Sequence, residues 1–481
     1  MDHIVLRNFL EICKIPRGSG DEKAVSDFIA KYARKHADVF QDEWNNLIIK
    51  KPASKGYSKK PAVILQAHLD MVCEKNANTP HDFARDPIDT YIDGDYIKAR
   101  GTTLGADNGI GVALCMALLQ SKLEHPPLEI LLTSDEEAGM SGAQNLDTSR
   151  LSGTRMINLD SGDESTFTVG CAAAITGEIF IADKYEHPED LFKKIIPPIL
   201  KKTFKIVVRG LKGGHSGVDI DKERGNALNI LAFLLSDICG VAHVEIKKIS
   251  GGMKVNAIPR EAECEIVFEE EENIVSARLE ELRAEFKENF RVSEPELEIM
   301  WSETEATAED IPISRTQTTP DVLQLLPNGV AARSLEIDGL VNASCNIGVV
   351  ETTDDGVKIS LMARGATEFH TRKAEAQILA AASLSNTRVD FTNRSPAWPY
   401  NPDSALLKTS QDVYKRVFSR NAAVSAVHAG LECGIFIEKM PHLEIISFGP
   451  NMYDYHTPDE RLSISSTLRV WEFLCELLKE L

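Results

Sequence analysis

AVILQAHLDMV, residues 62–72, is an apolar run of strand length that ends abruptly in a histidine and an acid. Two more stretches have the same form: LEILLT (128–133), followed by Ser-Asp-Glu-Glu, and RMINLD (155–160). Between the first two lies NGIGVALCMALLQ (108–120), an apolar helix candidate. Upstream, Ala24, Val25, Phe28, Ile29, Tyr32 and Ala33 fall on one face and predict an amphipathic helix over 22–37. Near-continuous apolar strands alternating with helices imply a largely parallel sheet covered on both faces. Functional residues of such sheets gather where strands end at their carboxyl side.

From about residue 171 the texture changes. Helix candidates at 222–239 and 272–290, the second striped by Val275, Leu279, Leu282, Phe286 and Phe290, interleave with alternating strands such as FKIVVRG and AECEIVFEE. VKISLMAR (357–364), a helix near 371–384 and RVDFT (388–392) continue that α+β pattern. After the Pro-rich SPAWPYNP (395–402), LEIISFG (443–449) and a helix at 466–480 resume the first texture. The reading is an α/β fold: a discontinuous domain, 1–172 and 396–481, with a mixed, largely parallel sheet and helices on both faces. An α+β domain, 173–395, is inserted into it.

Length and charge set the remaining bounds. At 481 residues, a soft prior of about three domains applies. With 53 Lys+Arg against 73 Asp+Glu, the net charge of −20 disfavours nucleic acid and anionic membranes as partners. Nine scattered cysteines without a C-x-x-C pair argue against a disulfide framework and for reduced, buried thiols. The first residues carry no signal-type apolar core, and the longest apolar stretch, near 109–119, is too short to span a bilayer. A soluble protein of the cytoplasm is expected.

Five segments carry chemistry, each after a strand signal. In QAHLDMV, residues i and i+2 of an extended chain point the same way, so Asp70 can accept the second ring N–H of His68. Alone, the pair is weak evidence and reads sooner as a hydrogen-bonded strand-end histidine. In RGTTLGADNGIGVA, Asp107 precedes a Gly-rich helix entry; it or Asn108 could be no more than an N-cap. In LLTSDEEAGMSGA, the run Asp135, Glu136, Glu137 leaves a buried strand, where mutual repulsion calls for a cation or a proton. Asp160 ends the strand of INLDSGDE, and His456 lies in ISFGPNMYDYHTPDERL. Together they offer two histidines and several carboxylates, a donor set for two divalent ions sharing a bridging carboxylate.

These segments resemble the co-catalytic di-zinc metallopeptidases, the family of aminoacylases, glutamate carboxypeptidases, carnosinases and tripeptide aminopeptidases. FLEICKIPRGSGDE, QAHLDMVCEKN, GTTLGADNGIGVA, TSDEEAGMSGA and HAGLECG (428–434) are most similar to its bacterial aminoacyl-histidine dipeptidases. The resemblance runs from about residue 8 to the end and is faintest across 290–360. It implies a metal-dependent dipeptidase with two divalent ions, zinc, or manganese or cobalt in its place. One ion is held by His68, Asp107 and Asp160, the other by Asp107, Glu137 and His456. Glu136 is then the general base and Asp70 the partner of His68. In VRGLKGGHSGVDI, the resemblance makes His215 a donor to the oxyanion, reaching across a homodimer formed through the inserted lid domain. Bland alone, His215 reads as a turn histidine. Asn256 in GGMKVNAIPREA becomes a substrate-contacting amide, Arg364 in SLMARGATEF a holder of the terminal carboxylate, and Glu432 a partner for the substrate ammonium. The alternatives are a tripeptide aminopeptidase or N-acyl-amino-acid deacylase, and, from another class, an inactive metal-stabilised dimeric scaffold.

Overall fold

The computed structural model describes residues 2–182, 202–268, 272–304 and 318–481. The chain divides into two compact units: Met1–Gly170 with Trp398–Ala426 and Leu431–Leu481, and Cys171–Ala397 with Val427–Gly430.

The first unit is built on an eight-stranded sheet. Its strands in chain order are β1 (Asp38–Gln41), β2 (Leu47–Lys51), β3 (Val63–His68), β4 (Leu128–Thr133), β5 (Arg155–Asn158), β6 (Thr166–Cys171), β7 (Ala423–Val427) and β8 (Glu444–Ser447). Their spatial order is β1-β2-β4-β3-β5-β8-β6-β7. The four central strands β4, β3, β5 and β8 run parallel, and β1, β2 and β6 join antiparallel at the flanks. Every residue of β3 and β4 is buried, which is why these runs lack polar alternation.

The helices of this unit include α1 (Ile4–Ile12), α2 (Lys23–Ala33), α3 (Ala106–Gln120), α4 (Ala405–Phe418), α5 (Glu432–Lys439) and α6 (Ile464–Glu480); α3 packs on β3, and α1 packs on α3. α3 is apolar all round and buried from Gly109 to Leu119. α2 stops at Ala33, short of the predicted 37, and the chain turns into β1 at Asp38. Rings of Phe167, Tyr414, Phe448 and Phe473 pack edge-to-face or stacked at 4.9–5.9 Å, joining β6, α4, the end of β8 and α6. A second, four-stranded sheet pairs Thr90–Asp93, Tyr96–Ala99, Arg461–Ser463 and Met452–Tyr453. The loop between its last two strands in sequence carries His456.

The second unit holds a nine-stranded sheet whose pairings are antiparallel. Helices Ala227–Val241, Glu272–Asn289, Thr318–Leu325 and Glu368–Leu384 all feed one apolar cluster with it, the layering of an α+β unit. The first of these begins five residues later than the predicted 222. Asn226 caps it by accepting the amides of Leu228 and Asn229, so the preceding residues form the approach. The strand read in AECEIVFEE runs Ala262–Phe268, and its last two residues lie outside the described ones. Nine free cysteines and no helix long and apolar enough to cross a membrane are found among the described residues.

Candidate functional site

Parallel pairing puts the carboxyl ends of β3, β4, β5 and β8 at one edge of the first unit. His68 is the last residue of β3 and pairs in register with Thr133, the last of β4, while Gln66 pairs with Asn158, the last of β5. The segments leaving these ends therefore converge without further folding.

Asp70 is the hub. Its carboxylate faces His68 Nδ1 at 3.2 Å and accepts the Ser19 hydroxyl (2.8 Å) and the amides of Glu136 (3.0 Å) and Glu137 (3.1 Å). Burial alone would raise its pKa, but the His68 ring and these donors bring it down to about 2. Asp70 thus orients the imidazole and fixes the backbone of the two glutamates. Each such charge-assisted bond is worth about 1.5–3 kcal/mol.

His68 Nε2 points at Asp107 Oδ1 (3.1 Å) and Asp160 Oδ1 (3.5 Å). His456 Nε2 lies 3.1 Å from Glu137 Oε1 and 3.5 Å from Asp107 Oδ2. Asp107 therefore offers one oxygen toward each histidine. One ligand atom each from His68, Asp107 and Glu137 lie within 4.8 Å of one another. Asn108 holds Asp160 through its side-chain amide. A Cβ on Gly111 would sit 2.1 Å from Asn108 Oδ1 and 2.8 Å from the Leu159 carbonyl, so glycine is required where α3 meets this corner. Neither Asp107 nor Asn108 is the N-cap of α3. Gly105 takes that position, and Asp107 (φ −77°, ψ 113°) stands in a non-helical break next to a cis Asp107–Asn108 peptide. Of the three consecutive acids, Asp135 is structural, accepting the Ser141 hydroxyl and amide.

The electrostatics are those of a cation site. Among the described residues, no lysine or arginine pairs with Asp107, Glu137 or Asp160; their ionic neighbours are the two histidines. Burial would strip His68 of its proton, yet Asp160, Asp107 and Asp70 outweigh it and raise its pKa well above the usual value. Asp107 and Glu137 push His456 up to about 10. Burial, then Asp107, raises Asp160 to about 6. Burial also lifts Glu136 well above the carboxylate range, reinforced by Asp160, Glu432 and Glu137. Imidazoles, carboxylates and unbalanced negative charge fit a divalent ion.

Glu432, at the start of α5, lies against this corner. Its Oε2 accepts Gln66 Nε2 (2.6 Å) and Thr133 Oγ1 (2.8 Å), while buried Oε1 has no partner among the described residues. Burial and the nearby acids raise its pKa to about 8.

His215, Asn256 and Arg364 belong to the second unit. His215 Nδ1 accepts the amides of Gly217 and Val218, so the neutral ring carries its proton on Nε2, 3.4 Å from an Arg364 nitrogen. Arg364 is 5% exposed and, among the described residues, pairs with no carboxylate and leaves Nε without a partner; burial lowers its pKa to about 10. The same Arg364 nitrogen also reaches Ser216 Oγ at 3.5 Å, so two N–H donors and a hydroxyl meet here, a grouping suited to an anion. Asn256 is exposed, and its backbone carbonyl accepts the Ser216 amide.

His428 joins this cluster and was not among the sequence candidates, although it opens HAGLECG. Its Nε2 lies 2.7 Å from Ser344 Oγ. Burial first, then Arg364 and His215, push its pKa down to about 3. The unfolded chain then takes a proton near pH 6.5 that the folded chain refuses until about 3. The stability due to neutral His428 is present above 6.5 and is lost as pH falls through that window, on the order of a few kcal/mol. Melting curves from pH 7 to 4 should show a shallower decline for His428→Gln than for the unaltered chain; parallel declines would count against this.

Comparison with known proteins bears on the whole chain. The pattern of peptidase family M20/M25/M40 matches residues 64–480. The cytosol non-specific dipeptidase of Escherichia coli (strain K12) is 35% identical over 476 residues, 98% of this chain and 96% of the relative. The crystal structure of aminoacylhistidine dipeptidase from Vibrio alginolyticus superposes with a TM-score of 0.89 at 35% identity, covering 99% of this chain and 96% of the other. Aminopeptidase PepT from Bacillus cereus, at 15% identity and TM-score 0.56 over 99% and 98% of the two chains, shares the fold. With a family pattern over most of its length and a 35% identical relative over nearly all of it, the chain belongs to peptidase family M20/M25/M40.

Proposed function

We propose that the chain is a cytoplasmic dipeptidase working through two divalent ions, zinc or, in its place, manganese or cobalt. The observation that carries this reading is the convergence of His68 and His456 on the two oxygens of Asp107, with Asp160 and Glu137 beside them and, among the described residues, no lysine or arginine paired with these carboxylates. His68, Asp107 and Asp160 would hold one ion; Asp107, Glu137 and His456 the other. Bound there, the ions supply positive charge that acidifies water and polarises the peptide carbonyl. Glu136, fixed through its amide by Asp70, takes the proton from the attacking water and returns it to the leaving nitrogen. Burial among acids gives its carboxylate the basicity that this needs.

Two further groups suit the ends of a dipeptide. The unpaired oxygen of Glu432 is a seat for the substrate ammonium. In the second unit, Arg364 with the Nε2–H of His215 is suited to a carboxylate or an oxyanion, and Asn256 adds an amide. A dipeptide carries both charges, whereas an N-acyl amino acid lacks the ammonium. Homodimer formation through the inserted unit belongs to this proposal. The resemblance of the cytosolic relative at 35% identity supports both the activity and the compartment.

The test is a substrate panel. The chain, stripped and reloaded with zinc, manganese or cobalt, is offered β-alanyl-histidine, Gly-Gly, an N-acetyl amino acid and a tripeptide. Dipeptides should be cleaved at least tenfold faster than the other two. A metal-loaded chain that leaves every dipeptide intact would refute the reading.

A further inference from the structure

Two buried groups of opposite charge hold the loop that carries Asp107. Arg17 donates to the carbonyls of Leu69 (2.9 Å), Asp70 (2.7 Å) and Gly105. Glu460, 2% exposed, accepts four successive amides: Leu104 (2.8 Å) and Gly105 (2.9 Å) on Oε2, Ala106 (2.8 Å) and Asp107 (3.3 Å) on Oε1. The last three are N–H groups that the start of α3 would otherwise leave unpaired, and together the four bonds fix the backbone of Asp107.

Glu460 also stands four residues after His456, in the loop between Met452–Tyr453 and Arg461–Ser463. One carboxylate therefore ties the loop of the shared ligand to the loop of the last ligand. The two candidate ion sites depend on this tie unequally. His68 ends β3 and Asp160 follows β5 by two residues, so the ends of the sheet strands hold both. The His456 side chain is 48% exposed and hangs from the loop that Glu460 anchors.

We infer that Glu460 is a positioning residue that sets the affinity of the ion held by Asp107, Glu137 and His456, and much less that of the ion held by His68, Asp107 and Asp160. The inference rests on the two-ion reading above. A glutamine at this position would turn its amide NH2 toward two of the four backbone amides, replacing two acceptor contacts by donor–donor ones. The two ligands it couples would then drift apart, while His68 and Asp160 stay in place.

The experiment titrates Zn2+ into the metal-stripped full chain against a chromophoric chelator, with far-UV circular dichroism and Tm of the metal-free protein as controls. The unaltered chain should take two ions, and His456→Ala, which lacks a ligand of the second site, should take one. Glu460→Gln should bind its tighter ion within about threefold of the unaltered chain and lose at least tenfold on the weaker one. Equal losses at both sites, or none, would overturn the inference. Should Glu460→Gln fail to fold, Glu460→Asp keeps the charge but is one methylene short; it should show the same selective loss on a smaller scale, and unaltered affinities there would also overturn it. An unaltered chain that takes fewer than two ions would instead bring down the two-ion reading itself.

Discussion

Glu136→Ala is expected to keep both ions and to lose about 10³–10⁴-fold in kcat, with KM little changed, as when a general base is removed. The backbone amide that Asp70 holds survives the substitution, so the neighbouring ligand Glu137 keeps its place. What goes is a carboxylate whose burial among Asp160, Glu432 and Glu137 gives it an unusual hold on a proton. Metal content by plasma mass spectrometry beside steady-state kinetics checks both halves. A variant with near-native kcat would remove Glu136 from the mechanism. The same variant also tests the homodimer: mixed with inactive His215→Ala chains, it should recover activity up to about a quarter of the unaltered level if the histidine serves the partner's site in randomly formed pairs.

Stripping the ions with a chelator should abolish turnover and destabilise the first unit together. An ion present at a thousand times its Kd contributes about 4 kcal/mol to stability. For a unit of this size that corresponds to a Tm change of roughly 10 °C. The mechanism is visible in the geometry: without a cation, Asp107, Asp160 and Glu137 are balanced only if His68 and His456 bind protons. Calorimetry before and after readdition of Zn2+ measures it, and a stripped chain with unaltered Tm and turnover would contradict the site.

The central sheet was legible because its strands are buried on both faces and their apolar runs end in abrupt acids and histidines. The converging residues His68, Asp107, Glu136, Glu137, Asp160 and His456 could be named for the same reason, with their pairing taken from family resemblance. Less legible was whatever acts through the backbone. Arg17 and Glu460 make their contacts to carbonyls and amides, which no side-chain pattern announces. Gln66 left one faint signal, an amide inside an otherwise apolar strand two residues before His68. The hairpin Tyr91–Lys98 was missed although Gly94-Asp95 is a two-residue turn between paired residues Asp93 and Tyr96. The predicted helix start at 222 failed because periodicity does not mark where a cap interrupts it; Asn226 was the signal to use.

The strand order of the first unit bears on how a cell can make this protein. β8, residues 444–447, lies between β5 and β6, whose residues end by 171. Until the ribosome has delivered more than nine-tenths of the chain, β5 and β6 cannot acquire the neighbour that separates them. At synthesis rates of about 5–20 residues per second, that leaves an apolar sheet with an open slot for roughly ten seconds to a minute. During that interval His456 does not yet exist, so a metal ion arriving early meets only part of its cage. Holdase chaperones that shield unpaired strands should therefore matter more to the yield of active protein than to its final stability.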